Sequence, residues 1–208
     1  MAPTKLQARI MFISLDGIDG VGKSTQIAQL KAHLESRGNE VVSVCDPGST
    51  NVGARLRSLL LDGDLQIHRR TEAMLFMASR CEMVETIIRP ALSAGKWVIS
   101  DRFLLANVVY QSVGGEVTPG LLWELGRAAN GGIRPDWTIL LDMPARESIQ
   151  RLQRPADRME ARGEEYLESV RRAFLEQLPE SSPRTAVIRA DQPADAVTRQ
   201  LLSLEFAK

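Results

Sequence analysis

Lysine is scarce in this chain. Only Lys5, Lys23, Lys31, Lys96 and Lys208 supply it, so 21 of the 26 basic residues are arginines. Arginine presents a rigid fork suited to bidentate phosphate recognition, whereas lysine offers a mobile point charge. A coding bias would give the same count, so only position can separate the functional arginines from the rest. Excess charge of either sign is lacking too. The 26 basic residues match 26 acidic ones, which removes the global field expected of a protein that binds nucleic acid or a membrane surface. The two cysteines, Cys45 and Cys81, form neither a C-x-x-C pair nor a metal-ligand spacing, as expected of a reducing compartment. Residues 1–9 lack the apolar core of a signal peptide, and the apolar run at 10–15 stops at Asp16, far short of a membrane span. The reading is of a cytoplasmic protein with no membrane or nucleic-acid partner. Repeats and low-complexity linkers are missing as well.

What remains is ordinary globular composition, 44% hydrophobic and 25% charged over 208 residues, enough for one complete α/β domain spanning 1–208. Short apolar runs at 10–16, 40–45, 97–100, 137–141 and 185–190 alternate with helical patterns at 24–37, 71–94, 146–154, 164–178 and 194–204. A shorter helix passes through Leu56, Leu59 and Leu60, and Thr118-Pro119 reads as an N-cap followed by proline at the first helical position. Strands that are nearly continuously apolar and separated by helices predict a five-stranded parallel sheet covered on both faces. Ligands bind such sheets beyond the carboxyl ends of the strands. Gly17, Asp46, Asp101 and Asp142 fall there.

Gly17-Ile18-Asp19-Gly20-Val21-Gly22-Lys23-Ser24 matches the phosphate-binding pattern G-x-x-x-x-G-K-[ST], set between a strand and a helix. The glycines let successive backbone N–H groups face an anion, and the helix N-terminus adds partial positive charge. Lys23 is expected to reach the β- and γ-phosphates, and the Ser24 hydroxyl to bind Mg²⁺, with Thr25 next to it at the ATP site. Asp19 stands inside the loop, where it either forms a turn through its own side chain, holds Mg²⁺ or orders a neighbouring arginine. An N-K-x-D guanine motif is missing, which argues against a GTPase.

Beyond this loop the chain resembles the thymidylate kinase family over most of its length. The segment Cys45-Asp46-Pro47-Gly48-Ser49-Thr50 stands where the family has a loop like R-E-P-G-G-T. Arg57-Ser58-Leu59-Leu60-Leu61-Asp62-Gly63 is similar to its next helix, and Thr71-Glu72-Ala73-Met74-Leu75-Phe76-Met77-Ala78-Ser79-Arg80 to its T-E-x-L-L-F-x-A-x-R helix. Arg89-Pro90-Ala91-Leu92 leads on to Asp101-Arg102-Phe103 and Tyr110-Gln111, and Asp157-Arg158-Met159-Glu160 resembles the D-R-x-E of a lid. The resemblance implies a P-loop nucleoside monophosphate kinase fold and transfer of the ATP γ-phosphoryl group to dTMP. It implies that Arg80 and Arg102 clamp the acceptor phosphate, that Phe76 stacks on thymine, and that Asn107 contacts the base beside Gln111. Tyr110 would sit against the sugar, and Asp101 would order Mg²⁺ waters or hold Arg102. The P-loop carries no arginine, while the lid region, about 151–163, carries Arg151, Arg154, Arg158 and Arg162. Arg154 and Arg158 are therefore the candidates for stabilising the transferring group. The family likeness also implies a homodimer packed through helices.

The departures cluster on the acceptor side. Cys45 replaces an arginine, Asp46 shortens a glutamate, Ser49 replaces the second glycine, and Ala106 stands where a serine is common. Two other readings stay open: a deoxynucleoside kinase using Asp46 as general base for a sugar hydroxyl, and a catalytically silent nucleotide-binding protein.

Overall fold

The computed structural model describes residues 10–62, 65–115, 117–152 and 163–207. Five strands, β1 (Phe12–Asp16), β2 (Val41–Cys45), β3 (Trp97–Asp101), β4 (Trp137–Asp142) and β5 (Arg184–Arg189), form one parallel sheet in the order β2-β3-β1-β4-β5. All five coincide with the expected apolar runs to within two residues. Phe12, Ile13 and Leu15 of the central strand are at most 1% exposed, each contributing about 1.5–3 kcal/mol relative to an exposed side chain. The edge strands differ from the expectation of continuous burial. In β5 only Ile188 is buried, and Val187 is 49% exposed, because an edge strand has a neighbour on one side alone.

The helix α1 (Lys23–Ser36) carries the chain from β1 to β2, and α7 (Ala145–Arg151) and α8 (Glu164–Ser181) carry it from β4 to β5. These crossovers run toward opposite edges, so a right-handed connection puts α1 and α8 on opposite faces. Ile27, Leu30 and Leu34 turn one stripe of α1 inward, and α9 (Ala194–Ser203) packs beside it. Thr50 caps α2 (Asn51–Leu61) by accepting from the Gly53 N–H at 2.8 Å.

The long helical stretch expected at 71–94 is α3 (Arg69–Met83) followed by a π turn (Val84–Ile88) and α4 (Arg89–Ser93). Pro90 has no N–H for the ladder and its ring crowds the carbonyl four residues back, and the wider turn lies directly ahead of it. The helix α5 (Leu104–Ser112), which sequence pattern did not reveal, follows β3 and packs on α6 (Pro119–Ala129) and α8. Thr118 caps α6, with Pro119 at its first position, as expected.

Candidate active site

The carboxyl ends of β2 and β3 finish level, Cys45 pairing in register with Asp101, and β1 runs one residue further, Leu15 pairing with the same Asp101. The loops that leave these ends enclose a cavity of about 440 Å³. It brings together Asp19, Gly20, Gly22, Lys23, Ser24 and Thr25 from the first loop and Asp46 from the second. Phe76 and Arg80 from α3, Asp101 and Arg102 from the end of β3, and Asn107, Tyr110 and Gln111 from α5 complete it. Gly17, Ile18 and Val21 belong to the loop but face elsewhere. Ile18 and Val21 are 2% exposed within the core, and a Cβ on Gly17 would meet the Leu141 carbonyl oxygen at 2.5 Å. That position requires glycine on steric grounds, and its φ of +139° adds a second reason. Arg154 and Arg158 lie outside the described residues, as does Arg162. Arg151 donates to the Ala190 carbonyl at 2.9 Å.

At the start of α1, Gly22 occupies the N-cap with φ +93° and supplies no side-chain cap, so the first N–H groups of the helix are left for an anion. Lys23 Nζ donates to the carbonyls of Gly17 (3.1 Å) and Ile18 (2.9 Å) and stands 3.6 Å from Asp19 Oδ1. Burial lowers the pKa of this ammonium, Arg102 pushes the same way, and Asp19 opposes both.

Arg102 is the hinge between the loop and the rest of the cleft. Its Nη1 donates to the Gly17 carbonyl at 2.8 Å, its Nη2 to Asp19 Oδ1 at 2.8 Å, and its guanidinium lies 5.1 Å from the centre of the Tyr110 ring. Burial works against its charge, but Asp19, Tyr110 and Asp101 outweigh it and raise the pKa well above the ordinary arginine value. Among the described residues, Arg102 alone of the non-glycines has a positive φ, +65°, a conformation costing roughly 1–3 kcal/mol. The backbone pins it: its N–H donates to the Leu15 carbonyl at 2.9 Å and its carbonyl accepts from the Ser100 hydroxyl. Tyr110 stays a neutral phenol, since burial raises its pKa more than the facing Arg102 lowers it.

A second set of contacts runs through the interior. Arg80, 1% exposed, donates through Nε to Asp46 Oδ2 at 2.5 Å and through Nη1 to Asn107 Oδ1 at 3.0 Å. Asn107 Nδ2 donates to Gln111 Oε1 at 2.7 Å, and Gln111 Nε2 donates to Glu72 Oε1 at 2.9 Å. Each amide must therefore point one way, a direction fixed by the guanidinium at one end and the carboxyl at the other. Burial pushes the Asp46 carboxyl up, and Arg80 draws it back down. Phe76 lies half-buried one turn before Arg80 on the same face of α3.

The departures in the second loop fit one another. The Ser49 hydroxyl accepts from the Cys45 N–H at 2.6 Å and donates to the Cys45 carbonyl at 3.1 Å, closing the loop on itself. The shorter Asp46 reaches Arg80 directly. Burial raises the Cys45 thiol, and Asp101 adds to the shift. Arg57, which sequence reasoning did not single out, also lines the cleft and donates to the Pro47 carbonyl at 2.9 Å. One signal marks it: on α2 it stands four residues before Leu61, which faces the same cavity.

The sheet order, the phosphate loop on the central strand and the adjoining polar cleft define a P-loop protein with the nucleoside monophosphate kinase fold. Comparison with known sequences narrows this further. The family model described as thymidylate kinase matches residues 15–201. Thymidylate kinase of Rhodopirellula baltica is 59% identical over 93% of this chain and 79% of its own length. Thymidylate kinase of Bifidobacterium longum (strain NCC 2705) is 42% identical over 90% of this chain and 93% of its own. That of Thermosipho melanesiensis is 37% identical over 92% and 95%. The chain belongs to the thymidylate kinase family.

Proposed function

We propose that the chain transfers the γ-phosphoryl group of ATP to dTMP, giving ADP and dTDP. The observation that carries this reading is the place of Arg102, bonded to the phosphate loop through Gly17 and Asp19 and lying over Tyr110 on the acceptor side. An acceptor that is already a phosphate needs no strong general base. It needs its charge neutralised and its oxygen held in line with the donor. Lys23 and the open N–H groups at the start of α1 serve the donor phosphates, and Arg102 serves the junction between donor and acceptor.

The buried amides of Asn107 and Gln111, oriented by Arg80 and Glu72, offer a fixed donor and acceptor pattern to a base edge, and Phe76 offers it a face. Arg80 then acts at the base side of the cleft, since its guanidinium is committed to Asp46 and Asn107. Arg80 holds Asp46 Oδ2, while Asp46 Oδ1 has no hydrogen-bond partner among the described residues, so the acceptor panel below is what separates this reading from a nucleoside kinase. The Ser24 hydroxyl and the Asp101 carboxylate are among the hard oxygen donors that line the cleft, and with the donor phosphates they suit Mg²⁺, which usually takes one or two protein oxygens. The ion would offset charge on the β- and γ-phosphates. Arg154 and Arg158 keep the role that the family resemblance implies for the lid. Val52 and Leu59 on α2, Met74 on α3 and Leu121 on α6 are exposed, which supports a homodimer packed through these helices.

ADP release measured with ATP, Mg²⁺ and a panel of dTMP, dUMP, dCMP, UMP, GMP and thymidine tests the assignment. Turnover strongest on dTMP and lost in Lys23→Ala is expected. Turnover on thymidine but not on dTMP would replace the reading with a nucleoside kinase.

A further inference from the structure

Behind the phosphate loop the sheet carries a row of polar side chains that the transfer cleft does not use. Ser14 on β1 stands opposite Ser100 on β3 and Thr138 on β4 in the parallel register, and all three are buried. Asp16, two residues beyond Ser14, shares that face and is fully buried. Central strands of parallel sheets are ordinarily apolar on both faces. Part of the row is answered within the protein: Ser14 Oγ donates to Asp16 Oδ2 at 2.5 Å, and Ser100 Oγ donates to the Arg102 carbonyl. Among the described residues, however, Asp16 Oδ1, Thr138 Oγ1 and the Asn130 Oδ1 at the end of α6 have no hydrogen-bond partner.

These three side chains line a single cavity of about 340 Å³, within the size range of small-molecule sites. Phe103, Leu104, Trp123 and Ile133 give it apolar walls. Arg127 and Arg134 stand exposed at its rim with Glu180, leaving net positive charge there. Three unanswered polar atoms, apolar walls and a cationic mouth amount to a recognition surface rather than a packing fault.

We propose that this cavity is a second nucleotide site, distinct from the transfer cleft, which takes a base with a lactam edge inward and its phosphates outward against Arg127 and Arg134. A lactam sets an N–H and a C=O side by side. The N–H answers Asn130 Oδ1, a pure acceptor, and the Thr138 hydroxyl answers either group. The Asp16 carboxyl accepts when ionised and donates when protonated. Burial raises its pKa, against the pull of Ser14 and Arg102, so a lactam finds a partner there in both states. Thymine, uracil and guanine carry that edge and adenine does not. The site is also coupled to the loop. Asp16 directly precedes Gly17, whose carbonyl accepts from Lys23 and Arg102, so an occupant on Asp16 acts on the strand that holds the phosphate loop.

Equilibrium dialysis of labelled dTTP is the test, with the transfer cleft first saturated by a bisubstrate analogue in which adenosine and thymidine are joined through phosphates. One further dTTP per chain is expected, with dATP at least tenfold weaker. The Arg127→Ala/Arg134→Ala double variant should bind the second dTTP at least tenfold more weakly while keeping its turnover of ATP and dTMP, because neither residue lines the transfer cleft. Thr138→Val should weaken the same event. Absence of dTTP binding beyond the analogue, or binding indifferent to the double variant, would overturn the proposal.

Discussion

Arg102 holds a backbone conformation that L-residues avoid, and it does so because its side chain must turn back over the phosphate loop. The strain and the contacts can be measured apart. Arg102→Gly and Arg102→Ala both remove the guanidinium, but only glycine relieves the left-handed backbone. Both variants are expected to lose at least a hundredfold in kcat, the loss typical of a positioned charge in the transition state. The glycine variant should unfold at higher denaturant, by about 1 kcal/mol relative to the alanine variant. Equal denaturation midpoints would mean that the backbone at 102 is unstrained. Lys23→Ala is the companion case. It removes a buried ammonium bonded to loop carbonyls and should abolish ADP release with the far-ultraviolet dichroism unchanged.

At the scale of elements, the contact between α5 and α6 sets the side of the cleft proposed for the acceptor. A Cβ on Gly126 would lie 2.1 Å from Leu104 Cδ1, so Gly126→Ala must push the side chain or the helix away. Overpacking of this kind costs about 1–3 kcal/mol. Since α5 carries Asn107, Tyr110 and Gln111, the KM for dTMP should rise severalfold in steady-state assays while the KM for ATP stays within twofold. An equal rise in both would show that α5 does not separate the two subsites. The same helix marks the limit of what sequence reveals. Leu104 to Gln111 is buried throughout, so the helical period is hidden by its surroundings, and Val108-Val109 reads equally well as strand. The phosphate loop was legible because its chemistry needs eight consecutive residues between a strand and a helix. Family resemblance named Asp46, Arg80, Asn107 and Gln111 singly as site residues, but not Glu72 and not the pairing of these side chains, which joins a loop and two helices distant in sequence. Arg57 stayed hidden among 21 arginines, and the pairing of Ser49 with Cys45 left no mark in a one-dimensional pattern.

For the molecule as a whole, the buried carboxyl of Asp16 gives stability an unusual slope with pH. Its folded pKa is raised by burial, so between the unfolded value of about 3.9 and the folded value the native state holds more protons than the unfolded chain. Stability from this group is full below the unfolded pKa and is lost as pH rises through the folded one. Asp16→Asn removes the titration. Its melting temperature relative to the wild type should be higher at pH 8 than at pH 4, read by calorimetry across that range. A difference independent of pH would show that Asp16 does not carry the slope. Light scattering tests the other property of the whole chain, with a mass of twice 23.0 kDa expected and Leu59→Glu with Met74→Glu expected to halve it.

The ending of β1, β2 and β3 within one residue of each other acts as a gauge. Because β3 lies between the other two, the loops that leave β1 and β2 depart about 10 Å apart across the sheet, two strand spacings. That interval belongs to the backbone ladder and to no side chain. Substitutions in the cleft can alter which acceptor is admitted, yet the span across which one phosphate meets the other is ruled by hydrogen bonds that every sequence of this fold must make.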